Sequence, residues 1–267
     1  MIWYYDIEVK TSSFLLLNLP YNSFRSTSNA NALNKNVQKD DLVIFFNYKH
    51  SKLYDSLFKR GAILFPENNI NNIIRNRSTQ LKMLDTITTF PLNRIYIDEY
   101  SGIPIPNKDY PILKVGNNHQ GIGKYKYPDC PSKMLRHEPV VYEEFVENHR
   151  GIRILIINND IFVIEQINDI WIKNDNPSDE ITYHWNTQKD TCLRWLSCAN
   201  ELVIDALNIN KTLNCSLLGV DYAVGDKKLG LLEINDMVGI PDNKIAIDCY
   251  NNLLLNISTS YLETVIA

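Results

Sequence analysis

Residues Pro111–Tyr125 read PILKVGNNHQGIGKY. The first five form a short apolar strand interrupted by one charge, Lys114, and the rest is a polar loop carrying Gly116, Gln120, Gly121, Ile122 and Gly123. A lysine rising from a strand meets nucleotide phosphates as a compact point charge. Glycines let backbone N–H groups close over those phosphates without a Cβ in the way. The spacings GxxxxGK[ST] and GxGxxG are both absent, which excludes the two commonest phosphate-binding fingerprints. A glycine-containing hairpin turn would produce the same string, so the loop alone leaves both readings open.

Two further stretches carry chemistry. LLGVDYAV (217–224) and LGLLEIN (229–235) read as antiparallel strands around Gly225-Asp226. That pairing brings Asp221 opposite Glu233, and Asn235 shares a face with Glu233 because side chains alternate along a strand. Two carboxylates and an amide oxygen form a hard-oxygen set suited to Mg2+. The flanking residues Leu217, Leu218, Val220, Leu231, Leu232 and Ile234 are apolar, so the acids sit near a core, where an unpaired carboxylate is costly. The third stretch, RGIRILII (150–157), presents Arg153 from an apolar strand, where a cation can neutralise a transferring phosphoryl group or close a salt bridge.

In this order and spacing, PILKVGNNHQGIGKY, EEFV (143–146) with GIRILII, and LLGVDY with LGLLEIND resemble the ATP-grasp superfamily, and within it the RimK-like carboxylate–amine ligases and related peptide ligases. The resemblance implies an α/β (α+β) ATP-grasp fold. It also implies a small N-terminal α/β pre-ATP-grasp domain over 1–90 and an ATP-grasp domain over 91–267, whose lid subdomain spans about 91–141 and C-terminal subdomain about 142–267. It assigns Lys114 to the ATP phosphates, Gln120–Gly123 to a lid loop, and the backbone of Glu144 and Phe145 to the adenine. Arg153 goes to the γ-phosphate and acyl phosphate, and Asp221, Glu233 and Asn235 go to Mg2+, or Mn2+ in its place. The implied reaction joins a carboxylate and an amine (of an amino acid, peptide or protein terminus) through an acyl phosphate, releasing ADP and phosphate. A kinase and a non-catalytic ATP-binding regulator are the alternatives.

The chain departs from the family pattern in places. RNRST (75–79) stands where an early phosphate-binding lysine is usual, which leaves Lys82, one turn on, as its substitute. The usual ribose acid falls on Gly151, which leaves Glu147. His119, Trp171, His184 and Trp185 could also touch a substrate, or serve as surface and core residues.

The 267 residues suffice for one large domain or two to three small ones. A 45% hydrophobic and 22% charged composition with net charge -4 is that of a globular protein and argues against nucleic acid as a partner. No apolar run approaches a membrane span, and the N-terminus MIWYYDIEVK lacks the pattern of an export signal. Five cysteines (Cys130, Cys192, Cys198, Cys215 and Cys249) without CxxC spacing read as reduced residues of a cytoplasmic protein. The abundance of Asn, Ile and Lys suggests AT-rich coding, so the compartment is the host cytoplasm if the source is viral. Related ligases are often dimers or tetramers, and a homo-oligomer is carried over from the resemblance.

Locally, residues 2–9 and 41–48 read as strands, 51–59 as a helix and 62–65 as a strand, an order that predicts a parallel sheet. The polar stretch 23–41 reads as loop or short helix. Residues 71–87 show helical spacing, 132–139 a brief helix, and 151–167 a hairpin around Asn158-Asn159-Asp160. Single helices are expected over 191–208 and 253–265.

Overall fold

The computed structural model describes residues 1–7, 9–20, 22–46, 51–67, 73, 76–100, 104–105, 107–116, 124–129, 138–147, 149–166, 180–236 and 239–266. The expected lid residues Gln120, Gly121, Ile122 and Gly123 lie outside them, as do His119, Trp171, Cys130 and most of the brief helix at 132–139. The protein is α/β. Its compact units are Met1–Asn71 with Asp236–Ala267, and Asn72–Asn235. The division expected from chain order, at 90/91 and 141/142, is a different partition: compactness assigns the C-terminal residues to the first unit.

The first unit is built on a parallel sheet of order β2-β1-β3-β4, with β1 Ile2–Tyr5, β2 Phe24–Thr27, β3 Leu42–Phe45 and β4 Ile63–Phe65. Its inner strands are apolar without alternation because both faces are covered. Trp3, Tyr5, Val43 and Phe45 pack with Leu33 of helix α2 (Ala30–Asn36) and with Leu53, Tyr54 and Leu57 of α3 (Ser51–Lys59). Helix α1 (Val9–Asn18) packs against the long C-terminal helix, Lys244–Ile266. That long helix reaches the sheet through Ser258, whose Oγ is 2.6 Å from Tyr4 Oη. The expected strand 2–9 is shorter than its composition suggests. It stops at Tyr5, Asp6 takes a left-handed turn (φ 58°), and a helix begins at Val9. The polar stretch 23–41 holds a strand and a helix, the latter capped by Asn29 Oδ1 accepting from the N–H groups of Asn31 and Ala32.

The second unit holds two antiparallel sheets. One has the order β5-β8-β6-β7, with β5 Arg94–Tyr100, β6 Ile112–Val115, β7 Lys124–Lys126 and β8 Glu138–Glu143. The other has the order β11-β10-β9-β12-β13, with β9 Arg150–Ile157, β10 Asp160–Gln166, β11 Glu180–His184, β12 Leu217–Val224 and β13 Leu229–Asn235. The hairpin expected around Asn158 is present as β9–β10, with Asn158 at φ 53°. Helix α4 spans Arg77–Ile87. The single helix expected over 191–208 is two, α5 (Trp185–Trp195) and α6 (Ala199–Leu213), because Leu196 is extended (φ -129°, ψ 95°). The break lets α5 pack on β10 and β11 while α6 covers β9, β10 and β12. The C-terminal helix, α7, runs longer than expected, over Lys244–Ile266.

Alternation on β12 separates the two faces of the second sheet. Tyr222 turns toward α6 and donates its hydroxyl to Asp205 Oδ2 at 2.8 Å, so Asp221 is directed to the other face. Asp205 is 1% exposed and also accepts from Thr88 Oγ1, Thr89 N and Thr89 Oγ1 at 2.6–2.9 Å. Four donors satisfy this buried carboxylate. At the turn between β12 and β13, a Cβ on Gly225 would lie 2.5 Å from the Glu147 carbonyl oxygen and 2.6 Å from Val146 Cγ1. Backbone cannot retreat as a flexible side chain can. Gly225→Ala should therefore lower stability by about 1–3 kcal/mol, read as the shift in urea midpoint at unchanged slope. An unaltered midpoint would show that the turn does not need glycine.

Candidate active site

Lys114 lies on β6 and is 1% exposed. Its Nζ donates to Glu143 Oε2 at 2.8 Å and to the Leu232 carbonyl at 3.2 Å. Glu143 ends β8 fully buried, and the same Oε2 accepts from Arg94 Nε at 2.5 Å. Arg94 also donates to Asp85 and to the Leu231 carbonyl. Burial alone would raise the Glu143 carboxyl, but the neighbouring Arg94 and Lys114 charges hold it below the ordinary glutamate range. Burial pushes the Lys114 ammonium down to about 8, with Arg94 and Lys124 adding to the effect and Glu143 opposing it. Oε1 of Glu143 is buried and has no hydrogen-bond partner among the described residues.

Strand register sets Lys124 directly opposite Lys114, so two lysines face each other across β6 and β7. Like charges in that position repel. They are accommodated because each meets a carboxylate, Lys114 the Glu143 that it shares with Arg94 and Lys124 Glu233 at 3.3 Å.

The second half of the site lies on the β9-β12-β13 ribbon. Arg153, Asp221 and Glu233 form one cross-strand row, as the sequence pairing of Asp221 with Glu233 anticipates. Arg153 holds Asp221 bidentately, Nε to Oδ1 at 2.6 Å and Nη2 to Oδ2 at 3.0 Å, and Asn235 Nδ2 donates to Asp221 Oδ2 at 3.1 Å. Burial disfavours the Arg153 charge, yet Asp221 overcomes this and raises its pKa above the ordinary arginine value. Burial likewise works against an ionised Glu233, and Lys124, Arg77 and Lys114 outweigh it, holding the carboxyl far below the usual range. A register shift between Asp221 and Tyr222 marks a bulge beside this row, a common device for aiming a side chain.

Other expected residues are placed as follows. Glu144 accepts from Asn93 N at 2.7 Å, Asn93 Nδ2 at 3.0 Å and Lys228 Nζ, and its own N–H donates to the Asn93 carbonyl. Phe145 is half-buried, with Lys126 Nζ 4.0 Å from its ring centroid. Glu147 is exposed. Lys82 donates to both oxygens of the exposed Asp98, at 2.7 and 2.8 Å, at the surface of β5. His184 is a buried junction: Nε2 is 2.9 Å from Asp160 Oδ1, Nδ1 is 2.9 Å from Thr187 Oγ1, and the ring stacks on Phe162 at 4.9 Å. Trp185 is buried beside it. Cys192, Cys198, Cys215 and Cys249 form no disulfide among the described residues.

Sequence reasoning passed over Glu143, Arg94, Lys124 and Arg77. Glu143 and Lys124 lie inside the motifs quoted for the resemblance, and a register argument could have found both. Arg94 carries no local signal. Among the described residues no three of His, Cys, Asp and Glu cluster as a metal site; the set on the ribbon is two carboxylates with an amide.

The neutral form of Lys114 is favoured by folding, so between about pH 8 and the ordinary lysine range the unfolded chain retains a proton that the folded chain has released. Stability attributable to this group is therefore lowest below pH 8 and recovers as pH rises. Urea unfolding of wild type and Lys114→Met at pH 7 and pH 9.5 should show the difference between them moving in favour of wild type at the higher pH. A difference that is flat with pH would contradict a depressed Lys114.

No family model matches the chain, and no curated protein does. Solved structures do. D-alanine–D-alanine ligase from Bacillus anthracis superposes with a TM-score of 0.61 at 15% identity, over 98% of this chain and 97% of that one. A RimK domain ATP-grasp protein from Sphaerobacter thermophilus gives 0.61 at 9% identity, over 96% and 98%. A RiPP-associated ATP-grasp ligase from Chryseobacterium gregarium, solved with ADP and a leader and core peptide, gives 0.55 at 10% identity, over 96% of each. The chain has the ATP-grasp fold along nearly its whole length.

Proposed function

We propose that the protein is an ATP-dependent carboxylate–amine ligase working through an acyl phosphate. The observation that carries this reading is the arrangement of Arg153, Asp221 and Glu233 as one row on the β9-β12-β13 ribbon, with the lysine pair Lys114 and Lys124 bonded to the neighbouring acids. The likeness to ligases in fold supports it.

The donor chemistry fits both implied ligands. Glu143 Oε1, a buried acceptor beside residues 144–147, suits a donor such as the amino group of adenine, since a buried carboxylate oxygen gains most from a new hydrogen bond. Lys114 and Lys124 suit phosphate oxygens. Asp221, Glu233 and Asn235 offer hard oxygens, and Glu233 is ionised at neutral pH, so these three would hold Mg2+. Mg2+ bound there supplies charge neutralisation for the transferring phosphoryl group. Residues 91–141 would act as the lid subdomain and 142–267 as the C-terminal subdomain.

In the reaction, a substrate carboxylate oxygen attacks the γ-phosphorus, the bond to the β,γ-bridging oxygen breaks and ADP leaves. An amine nitrogen then attacks the acyl carbonyl, phosphate departs and the nitrogen loses a proton. Arg153 exchanges part of its bond to Asp221 for the γ-phosphoryl oxygens, and the lysines hold the remaining phosphates. Proximity and fixed charge do the work, so no covalent enzyme nucleophile is required.

Calorimetric titration with a non-hydrolysable ATP analogue should show Mg2+-dependent binding that weakens at least about tenfold in Asp221→Asn and Glu233→Gln, the loss expected for one charged interaction. With a panel of carboxylates and hydroxylamine as the amine, ADP release should be accompanied by a hydroxamate. Absence of nucleotide binding sinks the reading, and ADP release with a phosphorylated alcohol in place of a hydroxamate makes the protein a kinase.

A further inference from the structure

The chain break at Leu196, between α5 and α6, borders a cavity of about 360 Å³ over the ends of β9, β12 and β13. A cross-strand row runs through it: register pairs Val224 with Arg150 on one side and with Leu229 on the other. Val224 stands two residues beyond Tyr222, so this row lies on the face that Tyr222 turns toward α6, opposite Asp221. Trp195, Leu196, Ser197 and Cys198 line the cavity from the helix side, and the turn Gly225–Lys228 lines it from the strand side. The cavity therefore lies behind the sheet that carries Arg153, Asp221 and Glu233.

One cation here is held in place with its donors unspent. The Arg150 guanidinium lies over the Trp195 ring, 5.6 Å from its centroid, and Trp195 is braced in turn by Tyr183 at 5.4 Å. The acid paired with Arg150 is Glu165, at 3.9 Å, which is beyond hydrogen-bond reach. The Arg150 side chain is 53% exposed, and its guanidinium makes no hydrogen bond among the described residues. Stacking on an indole fixes the plane of a guanidinium and leaves the N–H fork at its edge open, the geometry that receives a carboxylate through two parallel bonds. Lys228 is taken by Glu144, whereas the exposed Lys227 has no partner among the described residues. Glu144, Glu165 and Asp226 offset much of the positive charge around the cavity, which favours a singly charged anion over a phosphate. Leu196, Val224 and Leu229 supply hydrocarbon beside the charged groups, so the lining also favours a ligand with an apolar body.

We propose that this cavity is a binding site for a small carboxylate carried on a flat apolar body. The carboxylate sits on the Arg150 fork with Lys227 beside it, and the body packs against Trp195, Val224 and Leu229. The site is separate from the nucleotide reading and stands without it.

Phenylacetate is the probe, with phenylacetamide as its neutral counterpart and inorganic phosphate as the bare anion. Wild type, Arg150→Met, Arg150→Lys and Trp195→Phe are titrated by calorimetry, alongside thermal unfolding and NMR of the isotope-labelled indole N–H groups. Wild type should bind phenylacetate at least about tenfold more tightly than phenylacetamide or phosphate. Arg150→Met should lose about 10- to 100-fold in phenylacetate affinity, and Arg150→Lys should recover part of the loss because it keeps the charge without the fork. The indole resonance missing from Trp195→Phe identifies Trp195 and should move along the titration with the calorimetric Kd. Any of four results overturns the site: no binding of phenylacetate, equal binding of either control compound, unchanged affinity in Arg150→Met, or an unmoved Trp195 resonance, which puts the carboxylate elsewhere. If Arg150→Met fails to unfold cooperatively, Arg150→Lys decides: a severalfold loss supports the site, and parity with wild type removes it.

Discussion

A single carboxylate, that of Glu143, is the constraint around which the second unit is built. It is fully buried at the end of β8, and one of its oxygens accepts from both Lys114 and Arg94. Removing three charges from water costs several kcal/mol per ion, and the arrangement persists because each cation also reaches a backbone carbonyl. Lys114 bonds Leu232 and Arg94 bonds Leu231. Those carbonyls belong to β13, immediately before Glu233. The same cluster that neutralises Glu143 thus ties the four-stranded sheet to the five-stranded one and sets the position of the acid that faces Lys124.

The five-stranded sheet supports the site from behind. Tyr222 and Asp205 join β12 to α6, and Thr88 and Thr89 join the same carboxylate to the segment after α4. With its helix-facing residues fixed, β12 has no freedom to rotate, and alternation leaves Asp221 on the opposite face against Arg153. Charged groups held on packed strands keep their geometry better than groups on loops. The charged groups of this site already bond one another across strands, Lys114 and Arg94 to Glu143, Lys124 to Glu233 and Arg153 to Asp221.

Several parts of this design were legible in the chain. The strand–helix–strand order at the N-terminus identified a parallel sheet, the Asn158 turn identified a hairpin, and the apolar flanks of Asp221 and Glu233 identified two paired strands. Each of these signals is local, arising from side-chain period or turn chemistry within about ten residues. The failures were places where neighbours decide. The stretch 2–9 looks extended by composition, yet the strand ends at Tyr5, Asp6 is left-handed and a helix starts at Val9. The 191–208 pattern reads as one helix, but two separate patches of sheet need covering, and the chain breaks at Leu196 to cover both.

The site divides along the same line. Asp221, Glu233 and Asn235 could be related from sequence because strand alternation and hairpin register relate residues joined by one turn, whereas Lys114 and Arg153 stood out only as charges on apolar strands and took their expected roles from the resemblance. Which cation meets which carboxylate could not be read from sequence, since it depends on pairings across strands and between sheets. Arg94 finds Glu143 across β5 and β8, and Lys124 finds Glu233 from another sheet. The sequence by itself determined the strand pair that sets Asp221 against Glu233 and the hairpin around Asn158. Tertiary structure alone decided the charge partners, because electrostatic pairing at buried sites is governed by distance and desolvation in space, and neither is written in the order of residues along the chain.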